Sequence, residues 1–144
     1  NMAKNYGSMV NYLCPLIDHM RTTGGTIAYT SSPAGMFGLP KSGGYSAAKA
    51  AGRVLFDTAR IELADTPIAF VALYPGFTYT ESMNGEDVPI KALIIQPERA
   101  VREMLWAIEH KRDHHIFPKR IAWPIRFGRL LPEPVRRWIL QRAR

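Results

Sequence analysis

Cysteine and long apolar runs are the two features that this sequence has least of. Cys14 is the one cysteine among 144 residues, so no disulfide can form within the chain. We therefore predict a reducing, cytoplasmic compartment. Cys14 lies in an apolar helical stretch, and we interpret it as a small buried hydrophobic residue. No apolar run reaches the roughly 18 residues that a membrane-spanning helix requires, which disfavours a transmembrane function.

Acidic residues are scarce in the last part of the chain. Residues 1–110 contain 9 Lys and Arg against 10 Asp and Glu, whereas residues 111–144 contain 10 against 2. The net charge of +7 therefore comes from the C-terminal tail and says little about the partners of the body. Nucleic-acid binding is not predicted, because no recognition motif accompanies the charge.

The tail, residues 119–144, mixes eight Lys and Arg with tryptophan, phenylalanine and leucine. This mixture fits an interfacial helix on an anionic membrane, so peripheral membrane association is one interpretation. The other is that the apolar side closes a pocket or meets another subunit while the arginines stay in water. Pro132-Glu133-Pro134 predicts a division of the tail into two short helices.

Helical and strand-like patterns alternate along residues 1–118. The chain begins inside what reads as an amphipathic helix, and we expect it to be the later part of a longer protein. The patterns predict, in order, a helix over 3–22, a strand over 26–30, a helix over 44–64, a strand over 68–74, a helix over 97–111 and a strand over 115–117. Strands that alternate with helices form parallel sheets. We therefore predict an α/β fold, with a partial catalytic domain at 1–118 and a basic amphipathic tail at 119–144.

The stretch from Ser32 to Lys49 places three polar groups at fixed offsets. Tyr45 and Lys49 are four residues apart, so on a helix their side chains lie on one face. An ammonium near the phenol favours the phenolate, which makes the tyrosine usable as a general acid or base. Ser32, at the end of the preceding strand, would donate a hydrogen bond to the same substrate oxygen. The pattern predicts reduction of a carbonyl or oxidation of an alcohol with a hydride-carrying cofactor. The alternative is that Tyr-x-x-x-Lys is an ordinary surface pair.

The sequence resembles the C-terminal part of a short-chain dehydrogenase/reductase. The resemblance rests on four motifs: N-Y-G at 5–7, T-S-S-P-A-G at 30–35, Y-S-A-A-K at 45–49 and P-G-F-T-Y-T at 75–80. It implies a Rossmann-type parallel sheet with flanking helices. It also implies an NAD(P)-dependent oxidoreductase and a homodimer or homotetramer.

The resemblance implies a role for each matching residue of the catalytic group. Tyr45 would donate the proton in reduction, Ser32 would polarise the substrate oxygen, and Lys49 would assist the tyrosine and bind the nicotinamide ribose. Asn5 would hold a water that relays protons to Lys49. Asn11 is a rival for that role, but its spacing to Ser32 is shorter than the family's.

The same resemblance implies one half of a cofactor site. Besides Tyr45 and Lys49, its cofactor contacts would be the strand-end residues Pro75, Gly76, Phe77 and Thr80. The family's glycine-rich phosphate loop and the residue that selects NAD or NADP have no counterpart among these 144 residues. The cofactor is therefore predicted as NADP or NAD, with NADP favoured. Two alternatives remain: a non-catalytic fragment or assembly module, and a peripheral membrane protein that acts through its tail.

The substrate side of the site is predicted from the loops that follow the serine and the Pro-Gly. Its candidate residues are largely apolar and favour a hydrophobic alcohol or ketone: Ser32, Pro33, Met36, Phe37 and Met83. The alternative is that these residues only pack the loops. His114 and His115 are adjacent, but a metal ion needs more converging ligands, so we predict no metal site.

Overall fold

The computed structural model describes residues 1–79 and 94–142. A π-helical segment leads into the first α-helix, and strands and helices then alternate to the tail. The elements are the π-helical segment Met2–Gly7, α1 Ser8–Thr23, β1 Gly25–Thr30, α2 Gly43–Glu62, β2 Ile68–Pro75, α3 Pro97–Glu109, β3 His114–Phe117, α4 Lys119–Leu130 and α5 Glu133–Arg142. All six elements predicted for 1–118 are present, and the tail divides into two helices as predicted.

The three strands form one parallel sheet in the order β1-β2-β3. Gly25 pairs with Ile68 and Thr30 with Leu73, while Pro75 pairs with Phe117 across the other edge of β2. β2 is central and its residues 70–74 are buried, which explains why its sequence is a near-continuous apolar run. The prediction of a parallel α/β sheet with flanking helices is confirmed.

The sheet is covered on both faces by apolar side chains from the helices. On one face, Phe56 of α2 packs between Tyr29 and Phe70, with both pairs of ring centroids 5.4 Å apart. On the other face, Val71 and Leu73 pack against Ala107 of α3. Burying a side chain such as Phe56 contributes about 1.5–3 kcal/mol to stability. The alternation of β2 therefore fixes α2 and α3 on opposite sides of the sheet.

The first helix shows one error in the sequence prediction. Cys14 is exposed, although we interpreted it as buried. Its neighbour Leu13 takes the core position instead, and one residue further along a helix rotates the side chain by about 100° away from that face. The helix continues through Pro15 and ends at Gly24, whose φ of 73° suits a residue without a Cβ.

The tail packs partly on the body and partly faces solvent. Ala122 and Ile125 of α4 are buried, and Gly128 lies against the ring of Phe37. α5 has no buried residue. None of the helices within residues 1–79 and 94–142 combines the length and apolar character that a bilayer crossing requires.

Candidate active site

Two of the predicted motifs meet at one edge of the sheet. β1 and β2 are parallel, so Ser32, just after β1, and Pro75, the last residue of β2, lie at the same edge. In open parallel sheets, ligands bind outside the carboxyl ends of the strands. This edge is therefore where a substrate and cofactor would be expected.

Ser32 is held by a short helical turn that begins directly after it. Its backbone is extended, and its Oγ accepts a hydrogen bond from the Ala34 amide at 3.2 Å, which caps the 3₁₀ turn Pro33–Gly35. The hydroxyl is used as an acceptor in this bond, so its hydrogen remains available as a donor. The local sequence thus fixes the position of Ser32 while leaving its O–H for another oxygen.

Tyr45 and Lys49 lie on one face of α2, as their spacing predicted. The Lys49 Nζ is 5.7 Å from the centroid of the Tyr45 ring. It also donates a hydrogen bond to the carbonyl oxygen of Thr30 at 3.1 Å, which ties the lysine to the end of β1. Burial lowers the pKa of Lys49, because desolvation disfavours its charged form. The structure thus joins the tyrosine, the lysine and the strand end.

Asn5 shares a recess of about 290 Å³ with Lys49 and Thr30. It sits in the π-helical segment, and its Nδ2 donates to the carbonyl oxygen of Asn1 at 3.3 Å. π-helical turns are rare and often occur at functional sites. Asn11 is exposed on α1 and does not line this recess, so Asn5 is the better placed of the two candidates.

The Pro75–Phe77 segment is held by backbone hydrogen bonds on both sides. The Gly76 amide donates to the Phe117 carbonyl at 2.8 Å, and the Ile95 amide donates to the Phe77 carbonyl at 2.8 Å. A Cβ on Gly76 would collide with the terminal methyl of Ile121, so a larger residue here would require the Ile121 side chain to move. Phe77 itself is exposed. Thr80 lies outside the described residues.

The residues predicted for the substrate side follow Ser32 directly. Pro33 opens the 3₁₀ turn, and Met36 and Phe37 line a recess of about 530 Å³ whose opposite wall is α5. That wall contains Arg136, which pairs with Glu133, and Arg137, so the recess is apolar on one side and charged on the other. Met83 lies outside the described residues.

Sequence reasoning missed Tyr29 and the Thr30 carbonyl. The centroid of the Tyr29 ring lies 5.8 Å from the Lys49 Nζ, and burial raises the pKa of Tyr29. Its hydroxyl fits only because Gly52 of α2 has no Cβ. The strand alternation that buries Ile27 also places Tyr29 on the α2 side, so this contact had a usable signal.

The two neighbouring histidines have different partners. His115 Nε2 lies 2.9 Å from Glu103 Oε2, whereas His114 faces Arg60 and Tyr74. Within residues 1–79 and 94–142, no three His, Cys, Asp or Glu side chains converge on a point that could hold a metal ion.

A family model described as short chain dehydrogenase matches residues 1–88 of the chain. The chain belongs to this family. An uncharacterized oxidoreductase of Myxococcus xanthus (strain DK1622) is 31% identical over 111 residues, which are 77% of this chain and 44% of that protein.

Solved structures show the same fold. A short-chain dehydrogenase from Burkholderia cenocepacia J2315, in complex with NADP, superposes with a TM-score of 0.83 at 27% identity, covering 96% of this chain and 56% of that one. A short-chain dehydrogenase from Streptomyces avermitilis has a TM-score of 0.72 at 20% identity, covering 95% and 57%. The chain thus spans about half the length of the relatives that it matches.

Proposed function

We propose that the protein is an NAD(P)-dependent oxidoreductase that interconverts a hydrophobic ketone or aldehyde and the corresponding alcohol. The observation that carries the proposal is the position of Lys49, which bonds the end of β1 while its ammonium lies beside the Tyr45 ring. Membership of the short chain dehydrogenase family supports the same chemistry. The proposal concerns the whole protein, because this chain spans only about half the length of its relatives.

In the direction of reduction, Tyr45 gives its phenolic proton to the carbonyl oxygen. The Lys49 ammonium, with its Nζ 5.7 Å from the centroid of the Tyr45 ring, stands beside the group that gives up this proton. Ser32 donates its free hydroxyl hydrogen to the same substrate oxygen and stabilises the charge that develops there. General acid catalysis of this kind contributes about 10²–10⁴ in rate.

A nicotinamide cofactor, when bound, supplies the hydride that no side chain can provide. The residues present fit its nicotinamide half. The Lys49 ammonium has three N–H donors, and Thr30 takes one, which leaves two for a ribose hydroxyl and for a water near Asn5. Gly76, without a Cβ, lets α4 approach the end of β2 closely. NADP is the cofactor that we favour, because the Burkholderia relative is in complex with NADP.

The substrate proposal rests on the residues that follow Ser32. Met36 and Phe37 are partly buried and give one wall of the large recess an apolar surface. A hydrophobic carbonyl compound would transfer its apolar body to this wall, at about 25 cal/mol per Å² buried. Its oxygen would point to Ser32 and Tyr45.

The test follows the absorbance of NADPH and NADH with a panel of hydrophobic ketones and aldehydes. Tyr45→Phe removes only the phenolic hydroxyl and should lower kcat by about 10²–10⁴. Trp106→Phe is the control, because Trp106 is exposed on α3, lines neither the Asn5 recess nor the Met36 recess, and should leave kcat unchanged. Equal turnover by the wild type and Tyr45→Phe would contradict the role of Tyr45. Absence of turnover in the wild type with every substrate would favour a non-catalytic assembly module.

A second role, peripheral binding to an anionic membrane, is supported by the outer face of α4. Trp123 and Phe127 stack with their ring centroids 5.8 Å apart, and both are more than half exposed. Exposed aromatic side chains beside arginines are typical of helices that lie in a membrane interface. Association into a homodimer or homotetramer remains a proposal that the family implies.

A further inference from the structure

A second polar recess lies behind the loop that carries Met36, away from Tyr45 and Ser32. It has a volume of about 250 Å³ and is enclosed by α2, β2, β3 and α4. Its polar lining comes from all four elements: Arg53, Asp57, Tyr74, His114, Arg126 and Arg129. None of these residues takes part in the chemistry proposed above, so the cluster needs an explanation of its own.

A chain of hydrogen bonds fixes the proton positions on the floor of this recess. The Arg60 guanidinium can only donate, so it donates to His114 Nε2 at 3.2 Å. His114 then carries its hydrogen on Nδ1, which donates to the Tyr74 oxygen at 3.2 Å. The Tyr74 hydroxyl hydrogen is therefore left to donate into the recess.

Both of these groups stay neutral near pH 7. Burial raises the pKa of Tyr74 to about 12. Burial, and next the nearby Arg60, lower the pKa of His114 below its usual value. The proton arrangement derived from the hydrogen bonds is thus the one that holds under ordinary conditions.

The acceptors of the recess are already occupied. The Oδ2 atom of Asp57 accepts a hydrogen bond from Arg53 Nη1 at 3.3 Å, and its Oδ1 atom accepts one from Arg60 Nη1 at 2.9 Å. Within the described ranges, Arg126 and Arg129 have no carboxylate within salt-bridge distance. The recess therefore offers hydrogen-bond donors from α2, β2 and α4, whereas both oxygens of its carboxylate, Asp57, already have partners.

The charges also do not balance. Four guanidinium groups, those of Arg53, Arg60, Arg126 and Arg129, stand in and beside the recess. Two carboxylates compensate them: Asp57, and the exposed Asp113 at 3.9 Å from Arg60. Two positive charges remain, which a single carboxylate ligand would only half neutralise.

We propose that this recess binds a compact oxyanion with two negative charges, of the phosphate or phosphate-monoester class. The Tyr74 hydroxyl and the Arg53 guanidinium would hold it from the floor, and Arg126 and Arg129 would close on it from α4. Arginine is well suited to this task because its planar fork matches phosphate geometry. The proposal is independent of the oxidoreductase activity, since none of its measurements involves turnover.

A phosphate group of this kind could come from a free phosphate ester or from a lipid headgroup. The experiment therefore has three arms: inorganic phosphate, glycerol phosphate, and vesicles that contain phosphatidic acid. Calorimetric titration gives the dissociation constant in the first two arms, and sedimentation with the vesicles gives it in the third. Sodium chloride at the same ionic strength corrects for screening.

The variants separate this recess from the general positive charge of the tail. Arg129→Gln should weaken binding about tenfold or more, because it removes a charge-assisted hydrogen bond. Tyr74→Phe should weaken it about threefold to tenfold while the ring remains packed. Arg120→Gln is the matched control: it removes an exposed arginine of the same helix that does not line the recess, and should change binding less than about twofold.

Binding in the first two arms without the third supports a free ester, and binding to the vesicles that depends on Arg129 and Tyr74 supports a lipid headgroup. Phosphate binding also raises the melting temperature of the wild type, by an amount that grows with the logarithm of the phosphate concentration relative to the dissociation constant, which provides an independent readout. The proposal is wrong if phosphate stabilises the wild type no more than chloride does. It is equally wrong if Arg129→Gln and Arg120→Gln lose the same affinity.

Discussion

Helices α2 and α5 both carry several cationic side chains, yet they use them differently. Lys49, Arg53 and Arg60 of α2 reach distant backbone carbonyls, those of Thr30, Gly35 and Phe70, at 3.1 to 3.3 Å. In α5 the cations interact within the helix: Arg136 pairs with Glu133 at 2.7 Å, and Arg142 stacks on Trp138. Long-range hydrogen bonds hold these cations of α2, whereas Arg136 and Arg142 of α5 have partners inside their own helix.

This difference explains why residue spacing predicts the positions of side chains in α2, whereas in α5 the amino-acid composition predicts only the chemistry of the surface. α2 buries a row of small and aromatic residues against the sheet: Ser46, Ala48, Gly52, Phe56 and Ala59. With that face fixed, the four-residue spacing of Tyr45 and Lys49 determines where their polar groups stand. α5 buries nothing, so its arginines and tryptophan define a surface chemistry rather than a geometry.

The largest expected difference between α2 and α5 is in how much each helix contributes to the stability of the folded protein. Phe56→Ala should lower the free energy of unfolding by about 3–5 kcal/mol, because it leaves a cavity between Tyr29 and Phe70. Trp138→Ala, in α5, removes an aromatic ring of which more than half is exposed and should cost less than about 1 kcal/mol. Urea unfolding of the two variants measures both values. Similar losses in the two would mean that α5 is anchored as firmly as α2.

The sequence predicted the elements and the shared helix face of Tyr45 and Lys49, because both depend on local patterns. Periodicity placed the helices and strands, and the Tyr45–Lys49 spacing placed the two side chains on one face. The Thr30 carbonyl could not be predicted as the partner of Lys49, since a backbone acceptor carries no side-chain signal. The exposed Cys14 was misjudged because an apolar stretch does not reveal which side of a helix faces the core.

The basic recess was outside the reach of sequence reasoning for a different reason. Tyr74 and His114 are 40 residues apart, and Arg60 and His114 are 54 apart. They meet only because β2 and β3 pair in register and α2 crosses the same face. The adjacency of His114 and His115 in the sequence does not show that their side chains have different partners, Tyr74 and Glu103, in the fold.

A smaller effect is expected on membrane association of the tail. The wild type should bind vesicles of anionic lipid more strongly than neutral ones, and salt should weaken that binding because the attraction is screened. Trp123→Ala should reduce binding severalfold, since it removes an exposed interfacial aromatic side chain. Tyr12→Ala, which removes an exposed aromatic ring from α1 in the body, is the matched control in vesicle sedimentation. Equal binding to anionic and neutral vesicles would contradict membrane association and favour the alternative, in which the apolar side of the tail closes a pocket or meets another subunit.

The smallest expected effect is a pH dependence of stability that arises from His114 of β3, where β3 contacts α2. The pKa of His114 is lowered in the folded protein, chiefly by burial and next by Arg60, so the unfolded chain binds the proton more tightly. Stability should therefore fall as the pH drops through the ordinary histidine pKa of about 6.5, and level off below the folded pKa. The loss should stay below about 1 kcal/mol, since the His114 side chain is 45% exposed and solvent screens its charge.

Urea unfolding between about pH 5 and pH 7.5 measures this contribution, because histidine changes its charge in that range. His114→Gln should flatten the pH dependence relative to the wild type, as no group that must stay neutral remains at this position. His19→Gln, an exposed histidine on α1, should leave the slope unchanged and controls for the general effect of losing a titratable group. An unchanged slope in His114→Gln would mean that the contacts of α2 with β3 do not set the protonation of this residue.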